Sequence, residues 1–303
     1  MKAQHFPNLD WLRLLLAVQV VYIHAGINDR VLISPVPAFL AVSGFVVYGS
    51  IQRWPLPQFF LNRALRVLPL LFASFLLVGA LFGAQAMTRN IIFWLWPFGE
   101  LPVNAVVWSL IYEEFYYALL AVLFSLGLYR FWWFPVVAAL VCITLVATDT
   151  QLGLPRAVFL LGGAFFLGNS FYIFREKIQR IPGWLATAIF VAAAAVISQG
   201  SYYAVYRADY AVLDFLSFAA LLVFGVAGPR LPRLAVDLSY SIYLIHCIMR
   251  AVLMMYYMPL GWTLFWFMLL STLPLCLFSW YAIEKPALKL KNWRPRAKAV
   301  PAE

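Results

Sequence analysis

Runs of about twenty apolar residues recur along the whole chain, broken by charges, prolines or glycines. Each run is long enough to cross a bilayer's hydrocarbon as a helix. The pattern predicts ten membrane helices, over 9–27, 36–52, 67–86, 104–127, 131–149, 155–174, 183–201, 209–229, 235–258 and 262–283. The stretch 90–98, with Trp94, Trp96 and Pro97, is too short to span and reads as an interfacial or re-entrant piece. The expected fold class is all-α: one polytopic membrane helical bundle.

Composition agrees. The 303 residues are 65% hydrophobic and 11% charged, with mean hydropathy +0.86. So few charges could not cover a soluble domain. The first apolar run carries Arg13 and His24 and lacks a small-residue cleavage site, so it reads as a retained helix rather than a signal peptide. Cys142, Cys247 and Cys276 stand singly in apolar runs without metal spacing, which points to inert packing and no metal. The net charge of +10 reads as positive-inside anchoring rather than nucleic-acid binding. With the N-terminus in the cytoplasm, 16 of the 22 basic residues fall on the inner side. Both termini are therefore expected inside, with a membrane domain over 1–286 and a short basic tail over 287–303 at the lipid surface.

Against this background the intramembrane ionisable residues stand out, since such groups usually face a bundle interior and mark a substrate or proton path. Arg13 and His24 are eleven residues apart, so they share one helical face, and Asp10 can pair with Arg13 at i, i+3. Neutral imidazole is a side chain that can be buried and still accept a proton near pH 7. His24 is either such a base or a structural histidine bonded to a neighbouring helix. Arg63 and Arg66 share a face ahead of Pro69 at the inner end of the third helix. Their forked donors suit phosphate oxygens, or they are plain anchoring charges. In the fourth helix Ser109, Glu113, Tyr116 and Tyr117 fall on one side; Glu113 there either orients an imidazole, holds an acceptor, or is a structural acid. In the ninth, Ser239, Tyr243, His246 and Arg250 form a stripe that lines a path or bonds helices together.

Several phrases, in order, carry a resemblance. They are Leu9-Asp10-Trp11-Leu12-Arg13 with the step to His24, Phe39 to Phe45 around Ser43-Gly44, and Arg63-x-x-Arg66 with Pro69. Trp108-Ser109-Leu110-x-x-Glu113, Ser239 to His246, and Glu284-Lys285-Pro286 complete the set. Together they span residues 9 to 286, and the chain resembles the acyltransferase-3 family of integral membrane acyltransferases. The resemblance implies roughly ten helices and transfer of an acyl group, by default acetyl, from acyl-coenzyme A. It implies an acceptor hydroxyl on an envelope glycan or lipid-linked saccharide, and a bacterial inner membrane. It also implies roles for His24, for Glu113, and for Arg63 and Arg66 in holding the donor, with Arg13 beside them. Ser43, Trp108, Ser109, Tyr243 and His246 are the remaining substrate or oxyanion candidates. The expected chemistry is His24 acting as general base on the acceptor while Glu113 fixes the imidazole or binds the acceptor. The competing class is a proton-coupled transporter or flippase without chemistry, which buried His, Glu and Arg also suit. No inverted repeat or matched pair of broken helices favours it.

Overall fold

A computed structural model describes residues 5–27, 30–97, 100–150, 152–199 and 210–292. Among these residues the regular elements are helical, with no β-strand. The longer helices are α1 (Pro7–His24), α2 (Pro35–Ile51), α3 (Leu56–Phe82), α4 (Ala84–Leu95), α5 (Val107–Ser125), α6 (Phe134–Ala147) and α7 (Arg156–Ile173). After the single turn α8 (Arg175–Ile178) come α9 (Gly183–Ile197), α10 (Ala211–Ala227), α11 (Ser239–Met255), α12 (Trp262–Ser279) and the short α13 (Lys285–Lys289). Helix is the backbone form that closes its own hydrogen bonds in lipid, which is why apolar runs fold this way.

Each of the ten apolar segments overlaps one of these helices. Among the described residues four helical segments are long and apolar enough to cross a membrane: Leu56–Phe82, Val107–Ser125, Arg156–Ile173 and Trp262–Lys289. Five further apolar helices of 10–17 residues are shorter than a full span. One boundary moves in a way that matters. The third helix starts at Leu56 rather than near Val67, with extended Pro55 as its N-cap and Pro57 in its first turn, where a missing N–H costs nothing. Arg63 and Arg66 therefore lie inside a helix and point with its face, not in a loop ahead of it. Residues 90–95 of the 90–98 stretch form the end of α4, which begins earlier, at Ala84; Ile92, Leu95 and the C-cap Trp96 are exposed, and residue 98 lies outside the described residues.

The bundle is tightest where α2 crosses α7. A Cβ on Gly44 would lie 2.1 Å from the Phe165 carbonyl oxygen, and one on Gly168 would lie 2.0 Å from that of Ala41. Only glycine lets two helix backbones approach this closely. Asn169 locks the crossing, donating to the carbonyls of Phe165 (2.7 Å) and Gly44 (3.3 Å) and accepting from the Tyr129 hydroxyl (2.7 Å). Ser43, beside Gly44, is thereby fixed in place. The start of α1 is held to the end of α10 and the chain after it. Asn8 donates to Phe224 and accepts from the Leu231 N–H, while the Trp11 indole donates to Pro232. After α12 a single π-turn, Trp280–Glu284, turns Glu284 inward, where it is buried against Ser279. Such π-turns interrupt helices mostly at functional places.

Candidate functional site

The polar side chains gather in a basic cavity, a neck and a histidine pair. The cavity, of about 190 Å³, is lined by Arg13 of α1, Ser43 of α2, Arg63 and Arg66 of α3, Glu113 and Tyr117 of α5, and Asp237, Tyr240 and Lys291. Three-residue spacing turns both α3 arginines to it. Asp237 Oδ2 accepts from Arg66 at 2.5 Å and from Arg13 at 3.5 Å, and Oδ1 accepts from the backbone N–H and hydroxyl of Ser239. Burial alone would push the Asp237 carboxyl up. The Arg66 and Arg13 charges and the Ser239 hydrogen bond outweigh it and hold the group well below the usual carboxylate range. Arg63 is placed differently. Its Nε is buried without a hydrogen-bond partner, and its guanidinium lies 6.0 Å from the Tyr117 ring centroid.

The neck is a second space of about 40 Å³ that shares Arg13, Ser43, Glu113 and Tyr240 with the basic cavity. It continues past Phe39 to Ser109 and Tyr243. Ser43 Oγ donates to Glu113 Oε1 at 2.5 Å, and the Tyr117 hydroxyl bonds the same oxygen. Ser109 Oγ and the Tyr243 hydroxyl are 2.6 Å apart, and both also reach the Val106 carbonyl.

Beyond Tyr243 on α11 lies fully buried His246. Its Nε2 is 2.8 Å from His24 Nδ1, and the two rings stack with centroids 5.0 Å apart. Its Nδ1 is 2.9 Å from the Ile242 carbonyl. A carbonyl can only accept, so His246 Nδ1 carries a proton, and in the neutral ring its Nε2 is then bare. His24 must then donate from Nδ1, which leaves its own Nε2 with a free lone pair. The network thus sets His24 in the tautomer a general base at Nε2 requires. Arg250 donates from Nε to the His24 carbonyl at 2.8 Å and secures the end of α1.

The arrangement changes two expected pairings. The partner of His24 is His246, not Glu113, whose carboxylate is taken by Ser43 and Tyr117. Arg13 pairs with Asp237 from another element, while Asp10, near the start of α1, is bonded to His5 at 2.8 Å. Trp108 packs edge-on against Tyr112 and lines neither space. Asp237 and Lys291 are the residues sequence reasoning missed. The signal for Asp237 was its place just before the Ser239 phrase; Lys291 was legible only as a topology charge. Among the described residues no group of three His, Cys, Asp or Glu side chains stands together to hold a metal.

Comparison with known proteins gives the frame for this geometry. The profile of a family described as an acyltransferase domain matches residues 6–281. Nodulation protein 10 of Rhizobium leguminosarum bv. viciae is 26% identical, and the match covers 95% of each chain. No solved structure matches. With the family match spanning nearly the whole chain and all three polar groups lying within a helical bundle, the protein belongs to the acyltransferase-3 family of membrane acyltransferases.

Proposed function

We propose that the protein transfers an acyl group, by default acetyl, from acyl-coenzyme A to a hydroxyl of an envelope glycan or lipid-linked saccharide, with His24 as general base. The observation that carries this reading is the shared lining of the basic cavity and the Ser43–Glu113 neck, which ends at Tyr243, whose ring packs 6.2 Å from that of His246, the partner of His24. Arg13 and His24 sit on one unbroken helix, eleven residues apart, which is about 16 Å along its axis. An extended pantetheine arm is roughly 15–20 Å long. A donor whose phosphates rest among Arg13, Arg63 and Arg66 therefore places its thioester at the level of His24. The acceptor hydroxyl gives its proton to His24 Nε2, and its oxygen attacks the thioester carbonyl. The carbon–sulfur bond breaks, and the thiolate takes the proton back from the imidazolium. Glu113, holding Ser43 and Tyr117, ties α2 to α5 and sets the width of the neck the arm must pass, and the Ser109–Tyr243 pair faces the reacting carbonyl.

The topology belongs to the same reading. Ten crossings with both termini in the cytoplasm of a bacterial inner membrane put the basic cavity towards the cytoplasmic donor and His24 towards the outer acceptor. A membrane unit over 1–286 followed by the basic segment 287–303 fits that placement. The test is release of coenzyme A thiol from acetyl-coenzyme A by purified protein with crude envelope glycan added. Glycan-dependent release that disappears in His24→Ala is expected. Full turnover by a normally folded His24→Ala protein overturns the assignment.

A further inference from the structure

The four cations of the basic cavity are not equivalent. Arg66 and Arg13 are both engaged by Asp237, at 2.5 and 3.5 Å. Arg63 has a buried Nε with no partner. Lys291 follows α13 in the turn Leu290–Asn292, which α3 holds in place: Gln58 donates from Nε2 to the Lys291 carbonyl at 3.4 Å and to Asn62 at 3.0 Å. Its ammonium is brought to a wall already carrying three guanidinium groups. Around it stand Arg13 from α1, Arg63 and Arg66 from α3, Glu113 and Tyr117 from α5, and Asp237 and Tyr240 at the start of α11. Of the two carboxylates, Asp237 is committed to Arg66 and Arg13, and Glu113 to Ser43 and Tyr117. Arg63 and Lys291 therefore line the same space of about 190 Å³ with no ion-pair partner of their own among the described residues. A buried cation surplus is unfavourable unless an anion completes it.

We propose that Lys291 and Arg63 are the two residues that grip a phosphate ester of the acyl donor, with the Arg13–Asp237–Arg66 triad as the fixed wall behind them. The inference rests on the donor reading above and adds to it a residue outside the segment matched by the family profile, which ends at residue 281. It also reassigns Arg66 from gripping the ligand to shaping its site.

A consequence follows for protons. Burial, and then the charges of Arg63, Arg66 and Arg13, bring the Lys291 ammonium down to about 7. Without the donor's charge, Lys291 is therefore only partly protonated near neutrality. A bound phosphate supplies the missing negative charge, restores full protonation, and binding takes up a proton. Above pH 8 that proton must come from a scarcer pool, so donor affinity falls as pH rises.

The test is titration calorimetry of the purified full chain in detergent with coenzyme A, in two buffers of different ionisation enthalpy. Proton uptake on binding is read from the difference. Wild type is compared with Lys291→Arg, whose charge does not titrate, and Lys291→Met, which has none. Uptake attributable to Lys291, the wild-type value minus the Lys291→Arg value, is expected to be about half a proton per coenzyme A at pH 7. Lys291→Met is expected to bind at least tenfold more weakly, and Lys291→Arg to bind well with no fall in affinity between pH 7 and pH 8.5. Equal affinity and equal proton uptake in all three proteins would overturn the Lys291 assignment and leave the acyltransferase reading standing. No binding of coenzyme A to wild type would instead overturn the donor reading itself. Phosphatidylglycerol in mixed micelles is the other arm. Lys291-dependent proton uptake with that lipid and none with coenzyme A would overturn the proposal in favour of a lipid headgroup.

Discussion

Replacing His246 with leucine isolates the relay from everything else the bundle does. His246 touches no reacting atom in the proposed chemistry; it is a positioning residue that accepts the His24 Nδ1 proton at 2.8 Å. Its removal leaves no orphaned carbonyl, because Ile242 still receives its helical N–H bond from residue 246. Leucine fills much of the same buried space. The bundle should therefore fold, and the loss should appear in catalysis. One buried hydrogen bond contributes about 0.5–1.5 kcal/mol, so losing it relaxes the His24 tautomer preference by up to roughly tenfold. A ring no longer held in register adds a geometric penalty, since misplacement of about 1 Å costs on the order of 10²-fold. The expected result is a fall in kcat of roughly 10²-fold. Donor KM should not change, because the arginine cavity lies about 16 Å away along α1. His246→Gln supplies an amide oxygen that can accept the same proton, and should recover activity to within about tenfold of wild type. The assay is coenzyme A thiol release at saturating acceptor, with thermal melting to confirm folding. Wild-type kcat in both variants, or equal losses in leucine and glutamine, would refute the relay and make His246 a packing residue.

Three further outcomes follow from the geometry. Asp237→Asn removes the shared counter-charge of Arg66 and Arg13 and should lower stability by about 3 kcal/mol, read as a drop in Tm. The same ion triad should fail in acid. The Asp237 carboxyl is lower in the folded protein than the value of about 3.9 in an unfolded chain, so its contribution is complete above that value and is lost as pH falls towards the folded one. Wild-type Tm that stays flat from pH 5 to pH 3 would contradict it. Gly44→Ala drives a methyl into the Phe165 carbonyl and should cost about 1–3 kcal/mol or more, with loss of activity as Ser43 shifts; an unchanged melting curve would show that the crossing has room.

Much of the candidate site was legible before any coordinates. His24, Glu113 and the α11 stripe were picked out because a polar side chain in an apolar run has few innocent explanations, the arginine pair by its shared face, and Ser43 by the phrase that carries the family resemblance. The pairings were less legible. Periodicity placed Asp10 within reach of Arg13, and Glu113 was read as a carboxylate that could orient the imidazole. Neither pairing forms: Arg13 is taken by Asp237 and His24 by His246 from distant parts of the chain, which leaves Asp10 to His5 and Glu113 to Ser43 and Tyr117. Trp108, singled out by its phrase, packs on Tyr112 away from both spaces.

The sequence by itself determined the membrane class, the helices and the faces on which charged groups sit. Those follow from local physics: apolar length, helical repeat and the cost of unpaired backbone in lipid. Tertiary structure decided which face meets which. Asp237 joins Arg13 to Arg66 across 224 and 171 residues of chain, and the histidine relay closes across 222. Lys291 reaches the cavity only because a π-turn and a short helix bring the chain back against α3. A spacing of three or four residues says which side chains share a face. Only the packing of glycine-lined helices says what that face opposes.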